Sequence, residues 1–249
     1  MNETEPFNNS DNILYVDVGN SLIKLKKYFS GRWENIYQIK HNELKILADY
    51  FGEHSARFDH IVISSVVDAV TNNLQTIFEP FPLKIIKTSE IPANLLNYQT
   101  PETLGIDRFL ACYGARRKTK SAVVVIDAGT ACTIDFMDEN DVFQGGVIMP
   151  GLRIMEEGLH QFAPALPKVE REKPSVWPGK STKSALQWGI TGVFLDALYA
   201  MLKRYDDHYG SFELWLTGGD ALLLTEYFDN NAKIDQDLVF EGMRRFVFQ

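Results

Sequence analysis

The sequence predicts an α/β fold of two duplicated domains, each a mixed sheet flanked by helices, with an interdomain cleft. Two observations carry this. Short apolar runs alternate with stretches of helical periodicity along most of the chain. In addition, Leu14-Tyr-Val-Asp-Val-Gly-Asn-Ser21 and Val124-Val-Ile-Asp-Ala-Gly-Thr-Ala131 share one design. Each is a strand ending on aspartate, one residue, a glycine, a short polar side chain, then an outgoing strand. Their separation of 110 residues (124 − 14) is too long for a solenoid repeat and fits duplication of a whole domain. The 249 residues suffice for two small domains. The division is expected near 118/119, giving domains over 1–118 and 119–249, with 1–12 a flexible polar arm.

Taken in order, Ile13 to Asp17 reads as a buried strand and Asp17 to Asn20 as a turn. Strands over Leu22 to Phe29 and Trp33 to Ile39 follow, then a helix over Glu43 to Phe51. Phe58 to Val66 is a strand, Ala69 to Phe78 a helix and Leu83 to Thr88 a strand. Thr100 and Pro101 have the chemistry of an N-cap and first position, so a helix is expected from Pro101 to Lys118. Ala122 to Ile126, Cys132 to Met137 and Val142 to Met149 form the second strand set. Helices near Leu152 to Gln161 and Ser184 to Tyr205 come next. Glu213 to Leu216 is a strand, Gly218-Gly219 a turn and Asp220 to Phe228 a helix.

Composition excludes several classes. The net charge of −8, without a basic block, makes nucleic acid a poor partner. The two cysteines and five scattered histidines form no zinc or disulfide pattern and suit a reducing cytosol. The amino-terminal stretch has no basic end or apolar core, and the run around Val123 to Ile126 is too short to cross a bilayer. A cytoplasmic protein without membrane attachment is expected.

A glycine turn brings backbone N–H groups close to a ligand because no Cβ intervenes. Asn20, Ser21 and Thr130 add donors for phosphoryl oxygens. Two such turns would grip a triphosphate from both sides, with Asp17 and Asp127 at the strand ends. Carboxylates beside a triphosphate need an intervening cation, which points to Mg²⁺ held partly through water. Lys24 would add positive charge. Against this stands a plain reading of both aspartates as turn residues. Thr217-Gly-Gly-Asp220 suits a flat adenine or ribose, or is an ordinary turn with a capping aspartate.

Asp107, on the face of Leu104, Leu110, Ala111 and Gly114, would be a carboxylate among apolar neighbours, costly unless something binds it. It has the placement of a general base for in-line phosphoryl transfer. Arg108 could bind a substrate carboxylate through two parallel hydrogen bonds. An internal Asp–Arg interaction or an exposed pair is the alternative. Asp135 reads as a carboxylate turned out from its strand, His160 as a helix C-terminal group, Cys112 and Cys132 as buried small side chains, and Trp177 to Lys180 as an exposed loop.

Together the segments resemble the type III pantothenate kinases, and more broadly the acetate and sugar kinase, heat-shock chaperone and actin superfamily. The resemblance rests on Asp17-Val-Gly-Asn-Ser21, Tyr98, Gly105-Ile-Asp-Arg108, Asp127-Ala-Gly-Thr-Ala131, Gly145-Gly-Val-Ile-Met-Pro-Gly-Leu152, Ser181-Thr182 and Thr217-Gly-Gly-Asp220. It implies ribonuclease H-like (actin-like ATPase) domains. It implies ATP binding by Asp17, Val18, Gly19, Asn20, Ser21, Leu22, Ile23, Lys24 and Thr130. Tyr98, Gly105, Ile106, Asp107, Arg108 and Thr182 would contact pantothenate, with Asp107 as proton acceptor. Asp127 would help to hold K⁺ or NH₄⁺ rather than Mg²⁺. The implied product is 4′-phosphopantothenate, the first intermediate of coenzyme A synthesis, and the implied assembly a homodimer. Ser21 stands where the family pattern has threonine, keeping the hydroxyl. Lys24 is shared with a regulatory branch similar to the Bvg accessory factor, so a nucleotide-binding regulator without efficient kinase activity is the alternative.

Overall fold

The computed structural model describes residues 12–54, 58–172, 174–228 and 231–248. The arm expected at 1–12 lies, apart from Asn12, outside the described residues. The chain runs β1 (Ile13–Val18), β2 (Leu22–Phe29), β3 (Arg32–Lys40), α1 (Leu44–His54), β4 (His60–Ser65), α2 (Asp68–Ile77), β5 (Leu83–Ile85) and α3 (Ile106–Arg116). It continues β6 (Val123–Ala128), β7 (Ala131–Met137), β8 (Phe143–Pro150), α4 (Leu152–Phe162), α5 (Thr182–Gln187) and α6 (Val193–Tyr209). The last elements are β9 (Glu213–Thr217), α7 (Ala221–Thr225), β10 (Ala232–Ile234) and α8 (Leu238–Val247).

The duplication is visible in the strand order. One five-stranded sheet runs β3-β2-β1-β4-β5 and the other, read the same way, β8-β7-β6-β9-β10. In the first, β1 is antiparallel to β2 and parallel to β4. In the second, β6 is antiparallel to β7 and parallel to β9. Side chains alternate across a strand, so each central strand buries one set in a core and turns the other set away. Leu14, Val16 and Val18 join Leu47, Phe51, Leu74 and Phe78 in one core. Val124, Ile126 and Ala128 join Phe194, Leu195 and Leu198 in the other. Asp17 and Asp127 therefore fall on the opposite, non-core set in both sheets.

The chain divides into two compact units, which a single boundary near 118/119 does not describe. The first holds the chain through Lys120, Asn140–Phe143 and the stretch from Asp237; the second holds Ser121–Glu139 and Gln144–Gln236. The C-terminal stretch joins the first unit because α8 packs tightly on α3. A Cβ at Gly114 would stand 2.0 Å from the Leu238 carbonyl oxygen, and one at Gly242 2.0 Å from that of Leu110. Only two glycines allow so close a crossing. Tyr15 on the same sheet face meets Trp33 edge-on at 5.1 Å, and Trp33 meets Phe240 of α8 at 5.5 Å.

Four expectations are corrected. The helix expected from Pro101 to Lys118 is a 3₁₀ turn over Pro101–Thr103 followed by α3 from Ile106, with Gly105 extended at ψ 118° between them. Thr100 does not cap it; its hydroxyl meets that of Thr103 at 2.8 Å. The single helix expected over Ser184 to Tyr205 is α5, a π-turn at Trp188–Gly192, and α6. Trp188 lies across Gly192, where a Cβ would come 2.3 Å from its ring. Thr182–Tyr209 is long and apolar enough to cross a membrane by length and composition alone, but its Ile190, Phe194, Leu195 and Leu198 are core side chains. Asp135 is buried rather than turned out. The strand β10 and helix α8 had not been anticipated.

Candidate active site

In the first unit the turn between β1 and β2 is tightened by the Gly19 N–H, which donates to the Leu22 carbonyl at 3.1 Å. Asp17 is 8% exposed. Across the sheet its direct partners are Lys24 on β2 and Ser64 on β4. Paired residues share a face, so Lys24, Asp17 and Ser64 form one polar row. The Ser64 hydroxyl is buried and has no hydrogen-bond partner among the described residues. Val18 and Ile23 are core side chains, leaving only their backbone for a ligand. Asn20 is exposed, while Ser21, Leu22 and Lys24 are partly so. The His41 ring Nε2–H donates to the Gly19 carbonyl at 2.9 Å.

Val66 links this turn to α3. Its N–H donates to the Val18 carbonyl at 3.1 Å. On its other side, its Cγ1 is 3.7 Å from where a Gly105 Cβ would be. Asp107 thus enters in the first turn of α3, not mid-helix, and Leu104 precedes the helix. Its Oδ1 accepts the Arg108 backbone N–H at 2.9 Å. That oxygen would lie 2.7 Å from a Cβ at Gly105, which explains glycine two positions before the aspartate. Burial raises the Asp107 pKa above the ordinary carboxylate range; the Arg108 N–H and the positive charge of Arg108 oppose the shift without cancelling it. A groove of about 1050 Å³ opens alongside Gly105 and Ile106, bounded by Ser65, Thr71 and Lys87.

Arg108 is 7% exposed. Its Nη1 donates to the Tyr98 hydroxyl at 3.4 Å, and its guanidinium carbon lies 6.0 Å from the Tyr98 ring and 5.8 Å from the Phe143 ring. Within the first unit Val66 thus joins the Asp17 turn to Gly105, and Arg108 joins the start of α3 to Tyr98.

In the second unit Asp127 pairs with Thr133 on β7 and Thr217 on β9, so its row is flanked by hydroxyls. Gly218 has φ 88° and no room for a side chain: a Cβ would stand 2.4 Å from the Asp127 Oδ1. The Asp220 N–H donates to the Ala128 carbonyl at 2.9 Å. The Thr130 carbonyl accepts the Gly151 N–H at 3.1 Å, and its hydroxyl accepts from Arg153 at 3.3 Å. Asp220 does not cap α7 with its side chain. Its carboxylate instead pairs with Arg171 at 2.7 Å, and Arg171 also forks onto Glu156 at 2.8 Å. Burial, then the charges of Asp127, Asp135 and Asp220, push the Cys132 thiol up to about 12, which disfavours the reactive thiolate. Thr182 is exposed at the first position of α5, which Ser181 caps by accepting the Ser184 N–H at 3.1 Å.

Among the described residues no group of three or more His, Cys, Asp or Glu side chains is arranged to hold a metal ion. Sequence reasoning missed His41, Phe143, Arg153 and Arg171. His41 alone had a usable signal: it follows β3, whose Lys40 pairs with Leu22, so hairpin register places it beside the glycine turn.

Residues 13–204 match the family described as type III pantothenate kinase. The type III pantothenate kinase of Flavobacterium johnsoniae is 32% identical over 232 residues, covering 93% of this chain and 95% of that protein. That of Phocaeicola vulgatus is 30% identical over 237 residues, covering 94% and 97%. A propionate kinase from Francisella tularensis matches with TM-score 0.54 at 11% identity, covering 94% of this chain and 98% of that one, a likeness of fold alone. With the family match spanning most of its length, this chain belongs to the type III pantothenate kinase family.

Proposed function

We propose that this chain transfers the γ-phosphoryl group of ATP to the hydroxyl of pantothenate, giving 4′-phosphopantothenate for coenzyme A synthesis in the cytoplasm. The observation that carries this is Asp107. It is a carboxylate with a raised pKa, set by a rigid helix start beside the Asp17 turn. In this reading Asp17, Val18, Gly19, Asn20, Ser21, Leu22, Ile23, Lys24 and Thr130 bind ATP through backbone N–H groups, hydroxyls and the Lys24 ammonium. Asp107 accepts the hydroxyl proton as the oxygen attacks the γ-phosphorus, and the bond to the β-phosphate oxygen breaks to release ADP. A carboxylate whose pKa is raised holds that proton better than an ordinary one. Arg108, supported by Tyr98, binds the pantothenate carboxylate, and Gly105, Ile106 and Thr182 complete the acceptor site.

Asp127 has Thr133 and Thr217 as its strand partners, and a carboxylate beside hydroxyls suits a hard cation such as K⁺ or NH₄⁺. Asp17 would hold Mg²⁺ through water. Such cations would offset the negative charge of the triphosphate when bound. A homodimer is part of the proposal: Ile148 on β8 and Ile154 and Phe162 on α4 are exposed apolar side chains that a second copy would cover.

ADP release is expected only when pantothenate, Mg²⁺ and K⁺ or NH₄⁺ are present together, with a product heavier than pantothenate by one phosphoryl group in the mass spectrum. ADP release indifferent to pantothenate, or ATP binding without any phosphorylated product, would instead favour the regulatory alternative.

A further inference from the structure

We propose that Phe143 is a positioning residue for the acceptor carboxylate, and that Asp141 is the latch holding it in place; this rests on the reading of Arg108 as the carboxylate anchor. Phe143 is fully buried. Its carbonyl accepts the Asn97 N–H at 2.9 Å, and Leu96 bridges to it in parallel, so the segment leading to Tyr98 is strung along it. The Tyr98 and Phe143 rings lie 6.0 Å apart, with the Arg108 guanidinium carbon over both. Two aromatic faces stabilise the cation through their quadrupoles. They also lower the local polarity, which strengthens a charge pair formed with an incoming anion.

The latch lies two residues earlier in the chain. Asp141 has φ 64°, a left-handed conformation that aspartate tolerates better than most side chains. It accepts from Arg116 Nε at 2.9 Å and pairs also with Arg245. Arg245 in turn lies 3.9 Å from the Tyr113 ring centroid and donates to the Tyr113 carbonyl at 3.2 Å. Helices α3 and α8 thus each contribute one arginine to a single carboxylate, fixing the backbone that carries Phe143.

The test is steady-state kinetics with pantothenate and with the analogue in which a primary alcohol replaces its carboxylate. Phe143→Leu is expected to raise the pantothenate KM about tenfold, with the ATP KM and the alcohol analogue's KM unchanged and Phe143→Tyr close to wild type. Asp141→Asn should give the same pattern more weakly, and it carries the test alone if Phe143→Leu does not fold. Equal rises for both acceptors, or for ATP as well, would overturn the role of Phe143. An unchanged pantothenate KM in Arg108→Ala would remove the anchor reading itself, whereas a raised one beside an unaffected Phe143→Leu would reject only this inference.

Discussion

Asp107→Asn is expected to lower kcat about a thousandfold while leaving ATP affinity within a factor of two. Asparagine keeps the shape and the oxygen that accepts the Arg108 N–H at 2.9 Å, but it cannot take a proton. The same variant is expected to be more stable than wild type at neutral pH, because the wild-type chain buries a charge there that asparagine lacks. The sign follows from the direction of the shift. A carboxyl with its folded pKa raised binds more protons folded than unfolded between the ordinary and the raised value. Wild-type stability from this group is then fully present below the ordinary carboxylate pKa, about 3.9, and is lost as pH rises through the raised value. Thermal melts of the two proteins should therefore converge in acid and separate toward neutrality. The acid limb of wild-type kcat against pH should also lie above the ordinary carboxylate range. Full activity in Asp107→Asn, or melts that separate in acid, would remove Asp107 from the base role.

Arg108→Ala is expected to raise the pantothenate KM about a hundredfold with a much smaller effect on the ATP KM. In the proposed reading the pair is desolvated and bidentate, and removing one partner of such a pair costs more than removing a surface charge, because the carboxylate would then enter a site built against aromatic rings. Arg108→Lys should recover only part of the loss, since an ammonium carries the charge without the planar fork. A pantothenate KM unchanged in both variants would mean that the acceptor is bound elsewhere.

Much of this was legible in the sequence because local rules fixed it. The two Asp–x–Gly turns follow strands of uniform apolar character, which marks the strands and their ends, while the core memberships of Leu14, Val16, Val124 and Ile126 show which face Asp17 and Asp127 avoid. Strand β2 was read to the residue. Where the reading failed, packing between distant segments decided the outcome. Gly105 ends one turn and starts another because Asp107 occupies the space of its missing side chain, which no helix propensity registers. Trp188 over Gly192 opens a π-turn inside an apparently continuous helix. Helix α8 is held by the Gly114 and Gly242 crossing, more than a hundred residues apart in sequence. Phe143, Asp141 and Arg171 carry no local motif at all; only the folded chain brings them to Arg108, Arg116 and Asp220.

The most direct test is a crystal structure of the chain with a non-hydrolysable ATP analogue and pantothenate. The acceptor hydroxyl is expected within about 2.6–3.2 Å of an Asp107 carboxylate oxygen, with the pantothenate carboxylate on the Arg108 guanidinium and the analogue's phosphates on the Gly19 turn. A hydroxyl beyond reach of Asp107, with the phosphates bound away from that turn, would contradict the assignment of this site to phosphoryl transfer.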